Sequence, residues 1–273
     1  VPESADWFNA SYLIMWGSNV PVTRTPDAHF MTEARYRGQK VIAISPDYAD
    51  NTKFADEWVA PHPGTDGALG MAMGHVILKE FFVVKKVPRF VDYVKKFTDL
   101  ADLVSLREKD GAWVPDKFLV AADLGDDSEG SKFKTVMLDS STGKTFVPNG
   151  SLGHRFNDSS MGKWNLDLEG VDPSLTVYGN HDATNVTVLM PRFDMGQENS
   201  ESGGVLRRGV PVVSIGDKKV TTVYDLMLAQ YGVSREGLDG DWPADYEDIS
   251  PYTPAWQEEI TSVPAEACLR IAR

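Results

Sequence analysis

Apolar runs of strand length alternate with helical patterns at the start of the chain. Residues 12–17 (YLIMWG) and 40–44 (KVIAI) are typical of strands covered on both faces. Between them, Thr25-Pro26-Asp27 offers an N-cap candidate, a proline at the first helical position and an acid in the first turn. We expect that helix to end near Gly38, so the strand–helix–strand order predicts a βαβ unit with a right-handed crossover and a parallel sheet.

The same alternation continues through a polar helix to a third expected strand at residues 58–60. Residues 63–66 (PGTD) then break the chain and cap a helix, in which Leu69, Met73 and Ile77 recur at helical spacing. Residues 81 to about 110 also have a helical pattern, with Pro88 opening one stretch of it. Packing is the expected role of this stretch.

A different pattern begins near residue 111. Residues 134–138 and 144–147 flank a Ser-Ser-Thr-Gly turn and predict a β-hairpin, which long polar stretches follow. The α/β pattern resumes at residues 212–215, turns at Gly216-Asp217 and enters a helix at residues 223–230. A last helix opens with the sequence TPAW at residues 253–256.

These elements predict an α/β fold with a doubly wound, mostly parallel sheet, flanking helices and an irregular β-containing insertion. Residues 1–110 form the α/β portion expected to bind a ligand, and residues 111–210 form the insertion. Residues 211–273 return to the α/β body. The chain opens on Val1 without an initiator methionine and closes on a helical pattern without a stop signal, so we expect an internal fragment of a longer protein.

Composition narrows the class of protein. The 273 residues, 42% of them hydrophobic, suffice for one substantial core or two modest ones. A net charge of −13 makes nucleic acid an unsuitable partner. No stretch approaches the roughly 20 apolar residues of a membrane-spanning helix, so any attachment to a membrane would come from another protein. Cys268 is the single cysteine, which excludes internal disulfides and a thiolate-bound cluster built from these residues alone.

Three loops carry the candidate chemistry, and each follows an expected strand. They are residues 16–25, 45–47 and 63–66. In a doubly wound sheet such loops converge at the carboxyl edge of the strands, where open α/β sheets bind their ligands. The sequence therefore predicts a crevice suited to a nucleotide.

The residue types suggest a role for each loop. Gly17 and Ser18 permit close backbone approach to a phosphate, and Asn19 and Thr23 add neutral donors. Asp47 has the position from which an acid commonly accepts hydrogen bonds from ribose hydroxyls. Asp66 could accept the two N–H bonds of a guanine edge.

An ordinary α/β domain explains the same residues without a ligand. In that reading Gly17 serves a turn, and Thr25 and Asp66 only cap helices. The chain has neither a G-x-G-x-x-G fingerprint nor a Walker sequence, so spacing alone leaves both readings open. An ordinary dinucleotide-dependent enzyme is disfavoured by the same absence.

Metal binding and nucleophilic catalysis find little support in the sequence. The five histidines show no paired spacing, so we expect no metal site within the chain. No G-x-S-x-G elbow occurs, and Cys268 lies among apolar helix residues as a structural thiol would. We accordingly expect no catalytic side chain among these residues.

Several motifs resemble one family. Residues 5–9 (ADWFN), 16–21 (WGSNVP), 23–30 (TRTPDAHF) and 63–66 (PGTD) resemble the catalytic subunits of respiratory nitrate reductases, a branch of the dimethyl sulfoxide reductase family of molybdenum enzymes. Later segments continue the likeness over nearly the whole chain: residues 149–151 (NGS), 162–165 (GKWN), 221–226 (TTVYDL) and 252–256 (YTPAW).

The resemblance implies a cofactor, bis-molybdopterin guanine dinucleotide with molybdenum. Trp16, Gly17, Ser18, Asn19 and Thr23 would then line its pterin or phosphate portion. Ser45 and Asp47 would lie at the ribose, and Gly64 and Asp66 at the guanine. The iron-sulfur cluster and the protein ligand of molybdenum would lie outside this chain, so the chain by itself is expected to be inactive.

The intact subunit implied by the resemblance reduces nitrate to nitrite during anaerobic respiration. Its partners would be an iron-sulfur beta subunit and a membrane cytochrome subunit, on the cytoplasmic face of the cell membrane. Two alternatives stay open. One is a related reductase of chlorate, perchlorate or selenate, and the other is an isolated α/β domain with no binding of its own.

Overall fold

The structure, a computed structural model, describes residues 3–148, 167–194 and 204–273. These residues belong to two compact units. The first unit comprises Val1–Gly74 and Tyr246–Arg273, and the second comprises His75–Asp245. The motifs at residues 149–151 and 162–165 lie outside the described residues.

The first unit contains a parallel sheet of three strands, in the order β1-β2-β3. Strand β1 is Tyr12–Trp16, β2 is Lys40–Ile44 and β3 is Glu57–Val59. Helices α1 (Val20–Thr23) and α2 (Thr25–Tyr36) connect β1 to β2, and a 3-10 helix, Asp50–Phe54, precedes β3. The predicted βαβ unit is confirmed.

Sheet and helix share a small apolar core in this unit. Val41, Ala43 and Met31 are fully buried, and Met15 and Val20 nearly so. Burial of four consecutive residues of β2 explains its uninterrupted apolar sequence, because a strand covered on both faces has no solvent-facing positions to alternate.

The start of α2 differs from the prediction. Thr25 is the first helical residue instead of the N-cap, and Arg24 has the cap position. The Thr25 hydroxyl donates 3.2 Å hydrogen bonds to the carbonyls of Pro21 and Val22, which lie within the preceding short helix α1. Helix α1 therefore supplies the acceptors that turn this hydroxyl away from the α2 amides.

Helix α3 (Asp66–Ile77) follows the predicted PGTD break and runs directly into a π-helical segment, Leu78–Val84. By length and composition alone, the continuous helix Asp66–Val84 could cross a membrane, a test that core helices of other proteins also pass. A share of 33% of its apolar window is buried, and Leu69, Ala72 and Val76 are fully so.

The second unit begins at His75, continues through the π-helical segment to helix α4 (Pro88–Phe97) and is built around a closed barrel of five strands. The chain's further strands are β4 (Leu103–Lys109), β5 (Ala112–Phe118), β6 (Met137–Leu138), β7 (Thr145–Phe146), β8 (Thr184–Pro191), β9 (Val205–Ile215) and β10 (Lys218–Thr222). The barrel order is β10-β4-β5-β8-β9, while β6 and β7 form a separate antiparallel pair. That pair confirms the predicted hairpin.

The barrel corrects two predictions. Residues 103–109 were expected to be helical, but they form β4 and pair with both β5 and β10. Residues 212–215 were expected to resume the α/β body, but they belong to the long strand β9 of the barrel. In both cases the pairing partner, instead of the local apolar pattern, decides the structure.

A mixed α/β fold is confirmed, but a mostly parallel sheet is not. The three parallel strands of the first unit are outnumbered by the barrel strands, whose recorded pairings are antiparallel except at Trp113 and Val188. The portions 1–110, 111–210 and 211–273 are divisions by expected role, and they stay a prediction beside the two packing units.

A buried carboxylate organises the end of the barrel. Helix α5 (Val223–Tyr231) begins at the N-cap Thr222, and Asp225 in its first turn is fully buried. The Asp225 carboxylate accepts hydrogen bonds from the Thr176 hydroxyl, the Val177 amide (2.9 Å) and the Arg235 guanidinium (2.6 Å). These donors satisfy a charge that would otherwise be costly to bury.

The chain returns to the first unit through helices α6 (Pro254–Thr261) and α7 (Ala265–Ala272). The predicted TPAW start is confirmed, since the Thr253 side chain caps α6 by accepting a 3.1 Å hydrogen bond from the Trp256 amide. The His62 amide donates to the Thr261 carbonyl, so α6 contacts the loop that leads to α3.

Candidate functional site

The carboxyl ends of the three parallel strands lie in one row. Trp16 is paired with Ile44, and Ile44 is paired with Val59, so each strand ends at the same level of the sheet. Gly17, Ser45 and the segment that leads to Asp66 leave the sheet at this common edge. The predicted convergence of the three loops is therefore present in the fold.

A side-chain hydrogen bond joins the first loop to the third. The Trp16 indole Nε1 donates to Asp66 Oδ1 at 2.7 Å, although the two residues are 50 positions apart. Asp66 is the first residue of α3, and the positive end of the helix dipole there favours a carboxylate. Gly64, just before it, has a φ of +83°, which a residue with a side chain would rarely adopt.

Hydrogen bonds to backbone carbonyls hold the loop after β1, one from β2 and one within the loop. Gly17 has a φ of +61°, and its amide donates to the Ile44 carbonyl at 2.8 Å. The Thr23 hydroxyl donates to the Asn19 carbonyl at 3.0 Å, within α1. Thr23 therefore stabilises the loop, and its hydroxyl hydrogen is already used.

The loop after β2 is held from both sides. The buried Ser45 donates its hydroxyl hydrogen to the Asp47 carbonyl at 2.7 Å and accepts a 2.9 Å hydrogen bond from the Trp58 indole at its own carbonyl. The Asp47 side chain is exposed. Ser45 thus fixes the position of the loop, and Asp47 is the side chain of this loop that a ligand can reach.

An exposed aromatic pair lies beside Asp47. The rings of Tyr48 and Trp58 meet edge to face with centroids 5.1 Å apart, and they are 72% and 39% exposed. Sequence analysis did not single them out, because an isolated aromatic residue is more often part of a core. An aromatic surface of this kind can stack on a flat heterocycle.

Two buried amides are the strongest sign of a ligand at this edge. The Oδ1 atoms of Asn19 and Asn51 are buried and have no hydrogen-bond partner. Asn51 is only 1% exposed, and its Nδ2 reaches the Ser18 carbonyl at a long 3.4 Å. Buried polar atoms are nearly always satisfied in native proteins, so these oxygens indicate a missing donor such as an N–H or O–H group.

Sequence reasoning placed Asn19 in the site but missed Asn51. Asn51 occurs in a polar stretch, DNTKF, that resembles an ordinary surface turn. Its burial comes from the packing of a 3-10 helix below the β1 loop, which the local sequence does not reveal. A ligand that carries N–H or O–H donors would satisfy both amide oxygens.

No alternative chemistry is evident among the described residues. No group of three or more His, Cys, Asp or Glu side chains there could hold a metal ion. Cys268 is fully buried, and burial raises the pKa of its thiol to about 12, so the thiolate that would act as a nucleophile is suppressed.

Sequence comparison with known proteins identifies the family of the chain. The sequence model of the family named Molybdopterin oxidoreductase matches residues 2–222. Over the whole chain, the sequence is 56% identical to the nitrate reductase alpha subunit of Mycobacterium tuberculosis and 47% identical to the respiratory nitrate reductase 2 alpha chain of Escherichia coli. The match covers 22% and 23% of those two relatives, so the chain spans about a fifth of their length.

A third relative is named for a different oxyanion. The perchlorate reductase subunit alpha of Dechloromonas aromatica is 38% identical over 63% of this chain, and the match covers 18% of that relative. The family resemblance expected from the sequence motifs is confirmed by these matches.

Proposed function

Because the chain belongs to the molybdopterin oxidoreductase family, we propose that it forms part of the cofactor-binding region in the catalytic subunit of a nitrate reductase. The observation that carries the proposal is the common edge of three strands, where two buried amide oxygens lack a donor. The intact subunit would reduce nitrate to nitrite in anaerobic respiration. The two most similar relatives named above support nitrate as the substrate.

The cofactor is proposed to be bis-molybdopterin guanine dinucleotide. Trp16, Gly17, Ser18 and Asn19 would line its pterin or phosphate portion, with Thr23 holding their loop in place. Asn51 joins this group through its buried amide oxygen. An acceptor oxygen suits a pterin N–H better than a phosphate, which carries acceptors itself.

The other two loops would hold the nucleotide end. Asp47 would accept hydrogen bonds from the ribose hydroxyls, with Ser45 fixing its loop and the Tyr48–Trp58 pair offering a stacking surface. Asp66, with Gly64 before it, would accept from the guanine edge. The Trp16 indole occupies one lone pair of Asp66 Oδ1 and orients the carboxylate, which leaves acceptor capacity for two further donors.

When bound, the molybdenum cofactor supplies the two-electron transfer of an oxygen atom from nitrate. The residues of this chain would bind and orient the cofactor. The iron-sulfur cluster and the protein ligand of molybdenum would come from parts of the subunit outside this chain.

The setting of the whole subunit is part of the same proposal. An iron-sulfur beta subunit and a membrane cytochrome subunit would deliver electrons, with the complex on the cytoplasmic face of the cell membrane. The three parallel strands would be one part of a doubly wound sheet completed elsewhere in the subunit.

Two variants of the full-length subunit test the cofactor site. Asp66→Asn should weaken cofactor retention about ten-fold, because a hydrogen bond to a charged group contributes roughly 1.5–3 kcal/mol. The matched control is Asp127→Asn, an exposed acid in the second unit. Molybdenum content after purification is the readout, and equal content in the two variants would refute the guanine assignment.

Two further measurements separate the alternatives. Calorimetry of the 273-residue chain with GMP and AMP tests binding by the chain alone, and no heat with either would favour a domain without binding of its own. Turnover of nitrate, chlorate, perchlorate and selenate by the intact complex identifies the oxyanion. A preference for perchlorate would favour the function named for the Dechloromonas relative.

A further inference from the structure

Helix α4 presents an aromatic and basic face to solvent. Phe90, Tyr93 and Phe97 are 41%, 57% and 48% exposed, although large aromatic side chains usually pack in a core. Arg89 and Lys96 are exposed beside them. At 3.6 residues per turn these five side chains fall within a sector of about 120°, and we refer to them as the α4 face.

The opposite side of α4 accounts for its packing. Val94 is buried in a cluster with Leu78, Leu100 and Tyr224, and Val91 packs against the same cluster. The helix therefore already has an apolar face inside its own unit. Within its own unit, Phe90 also packs against the rings of Phe81 and Phe82, while the rest of the α4 face is a separate, exposed surface of the helix.

Charge sets the α4 face apart from the rest of the chain. Residues 85–97 hold five of the 27 Lys and Arg residues and one of the 40 Asp and Glu residues. Lys85 and Lys95 form ion pairs with Glu80 and Asp172, and Arg89 and Lys96 are the two cations of the α4 face. This local excess of positive charge lies in a chain whose net charge is −13. Such an excess attracts an acidic partner, and the exposed aromatic rings require apolar groups between the acids.

We propose that the α4 face docks onto an acidic protein surface with exposed apolar side chains, supplied by the remainder of the full-length subunit. This inference rests on the proposed function, which sets the chain within a longer catalytic subunit. The matched region is about a fifth of each nitrate reductase relative, so most of the polypeptide available to cover the face lies outside it. Aromatic and arginine side chains are also the types enriched at protein interfaces.

A lipid surface fits the α4 face less well. Helices that lie on membranes separate their apolar residues from their basic residues, so that one face enters the lipid and the other meets the headgroups. On α4 the two types are mixed within one sector, and the Lys96 ammonium lies 5.6 Å from the centre of the Phe97 ring. Acidic and apolar side chains can meet such a mixed pattern side by side.

Hydroxyl-radical footprinting of the 273-residue chain and of the full-length subunit tests the proposal. In the 273-residue chain, Tyr93 should be oxidised at a rate near that of Tyr36, which is 84% exposed. In the full-length subunit, the rates of Phe90, Tyr93 and Phe97 should fall toward that of the fully buried Tyr252. Equal rates at Tyr93 in both samples would overturn the proposal.

Charge reversal provides the matched comparison. In the full-length subunit, Arg89→Glu with Lys96→Glu should restore oxidation of Tyr93, whereas Lys132→Glu with Lys144→Glu should not, since those lysines are exposed elsewhere in the same unit. Circular dichroism of the 273-residue chain with each pair checks that the fold is kept. Protection that survives reversal of the α4 charges would contradict an acidic partner.

A lipid membrane and a second copy of the chain are the two other partners that the α4 face could bind, and each would give a result that contradicts the proposal. Flotation of the 273-residue chain with vesicles of phosphatidylcholine and phosphatidylglycerol, lost on reversal of the α4 charges, would replace the proposal with a membrane contact. Dimerisation of the same chain that depends on Arg89 and Lys96 would replace it with a second copy. Footprinting needs neither molybdenum nor nitrate turnover, so a failed cofactor assignment and a failed docking assignment are distinguishable.

Discussion

The Trp16 indole donates a 2.7 Å hydrogen bond to the Asp66 carboxylate and thereby ties the end of β1 to the start of α3. Trp16→Phe keeps the ring but removes the donor, so the free energy of unfolding should fall by about 1 kcal/mol, a small effect because Asp66 is exposed. Urea denaturation of the 273-residue chain measures the change.

A control variant distinguishes the loss of the Trp16 hydrogen bond from the general effect of replacing a tryptophan. Trp113→Phe changes a half-buried ring of the barrel that has no recorded indole hydrogen bond. In the full-length subunit, Trp16→Phe should lower molybdenum content and Trp113→Phe should not. An equal loss in both variants would show that Trp16 does not orient Asp66 for the cofactor.

Asn51 should stabilise the subunit with cofactor bound and destabilise the chain without cofactor. Asn51→Leu replaces a buried amide, whose oxygen has no partner, with an apolar side chain of similar size. The free energy of unfolding of the 273-residue chain should therefore stay equal or rise by about 1 kcal/mol. In the full-length subunit the same variant should retain less molybdenum. A purely structural amide would give the reverse pair of results.

Two buried groups in the second unit should oppose each other in their effect on stability between about pH 4 and 6.5. Burial lowers the pKa of His75 from 6.5 to about 4, so the unfolded chain binds the extra proton and His75 costs stability as the pH falls through this window. Burial raises the pKa of Asp102 from 3.8 to about 7, so the folded chain binds the extra proton and Asp102 costs stability as the pH rises through the same window.

Single variants reveal the two opposed slopes. Relative to the unmodified chain, His75→Gln should make the free energy of unfolding decrease more with rising pH, and Asp102→Asn should make it increase more, each by up to about 1.4 kcal/mol per pH unit. Chemical denaturation at several pH values measures both. Parallel pH profiles for all three proteins would contradict this account.

The ion pair of Arg235 and Asp225 holds the end of the barrel in place, with the carboxylate fully buried. Arg235→Met leaves that carboxylate without its cation and should lower the free energy of unfolding by about 3–5 kcal/mol. Asp225→Asn with Arg235→Met removes both charges and should recover part of the loss. Thermal and urea unfolding measure the set, and a loss below about 1 kcal/mol for Arg235→Met would mean that the pair is dispensable.

The parallel sheet and its loops could be predicted from the sequence because each step is local. The apolar runs of β1 and β2, the helix between them and the PGTD turn all lie within about 60 residues. The parallel direction of the strands then brings Ser18 and Asp47 to the same edge of the sheet. To place Asp66 at the same edge, the third strand, β3, also had to be predicted. The convergence of these loops follows from topology alone.

The barrel could not be predicted in the same way. The LVSLREK sequence of β4 alternates too briefly to exclude a helix. Its pairing with β5 through the Asp110-Gly111 turn is a local signal that was missed, whereas its other partner, β10, lies more than a hundred residues later. The start of α2 was misplaced for a related reason, since the acceptors of the Thr25 hydroxyl belong to α1. The burial of Asn51 likewise depends on packing that the DNTKF sequence does not encode locally.

The pairing of β4 with β10 also constrains how the chain can be made. During translation, residues 103–109 leave the ribosome long before residues 218–222. The N–H and C=O groups of β4 that face β10 therefore stay unpaired until β10 has been made. The first unit is completed later still, because it includes Tyr246–Arg273. A nascent chain of this design exposes an open strand edge until β10 has been synthesised, and such an edge can pair with strands of other chains.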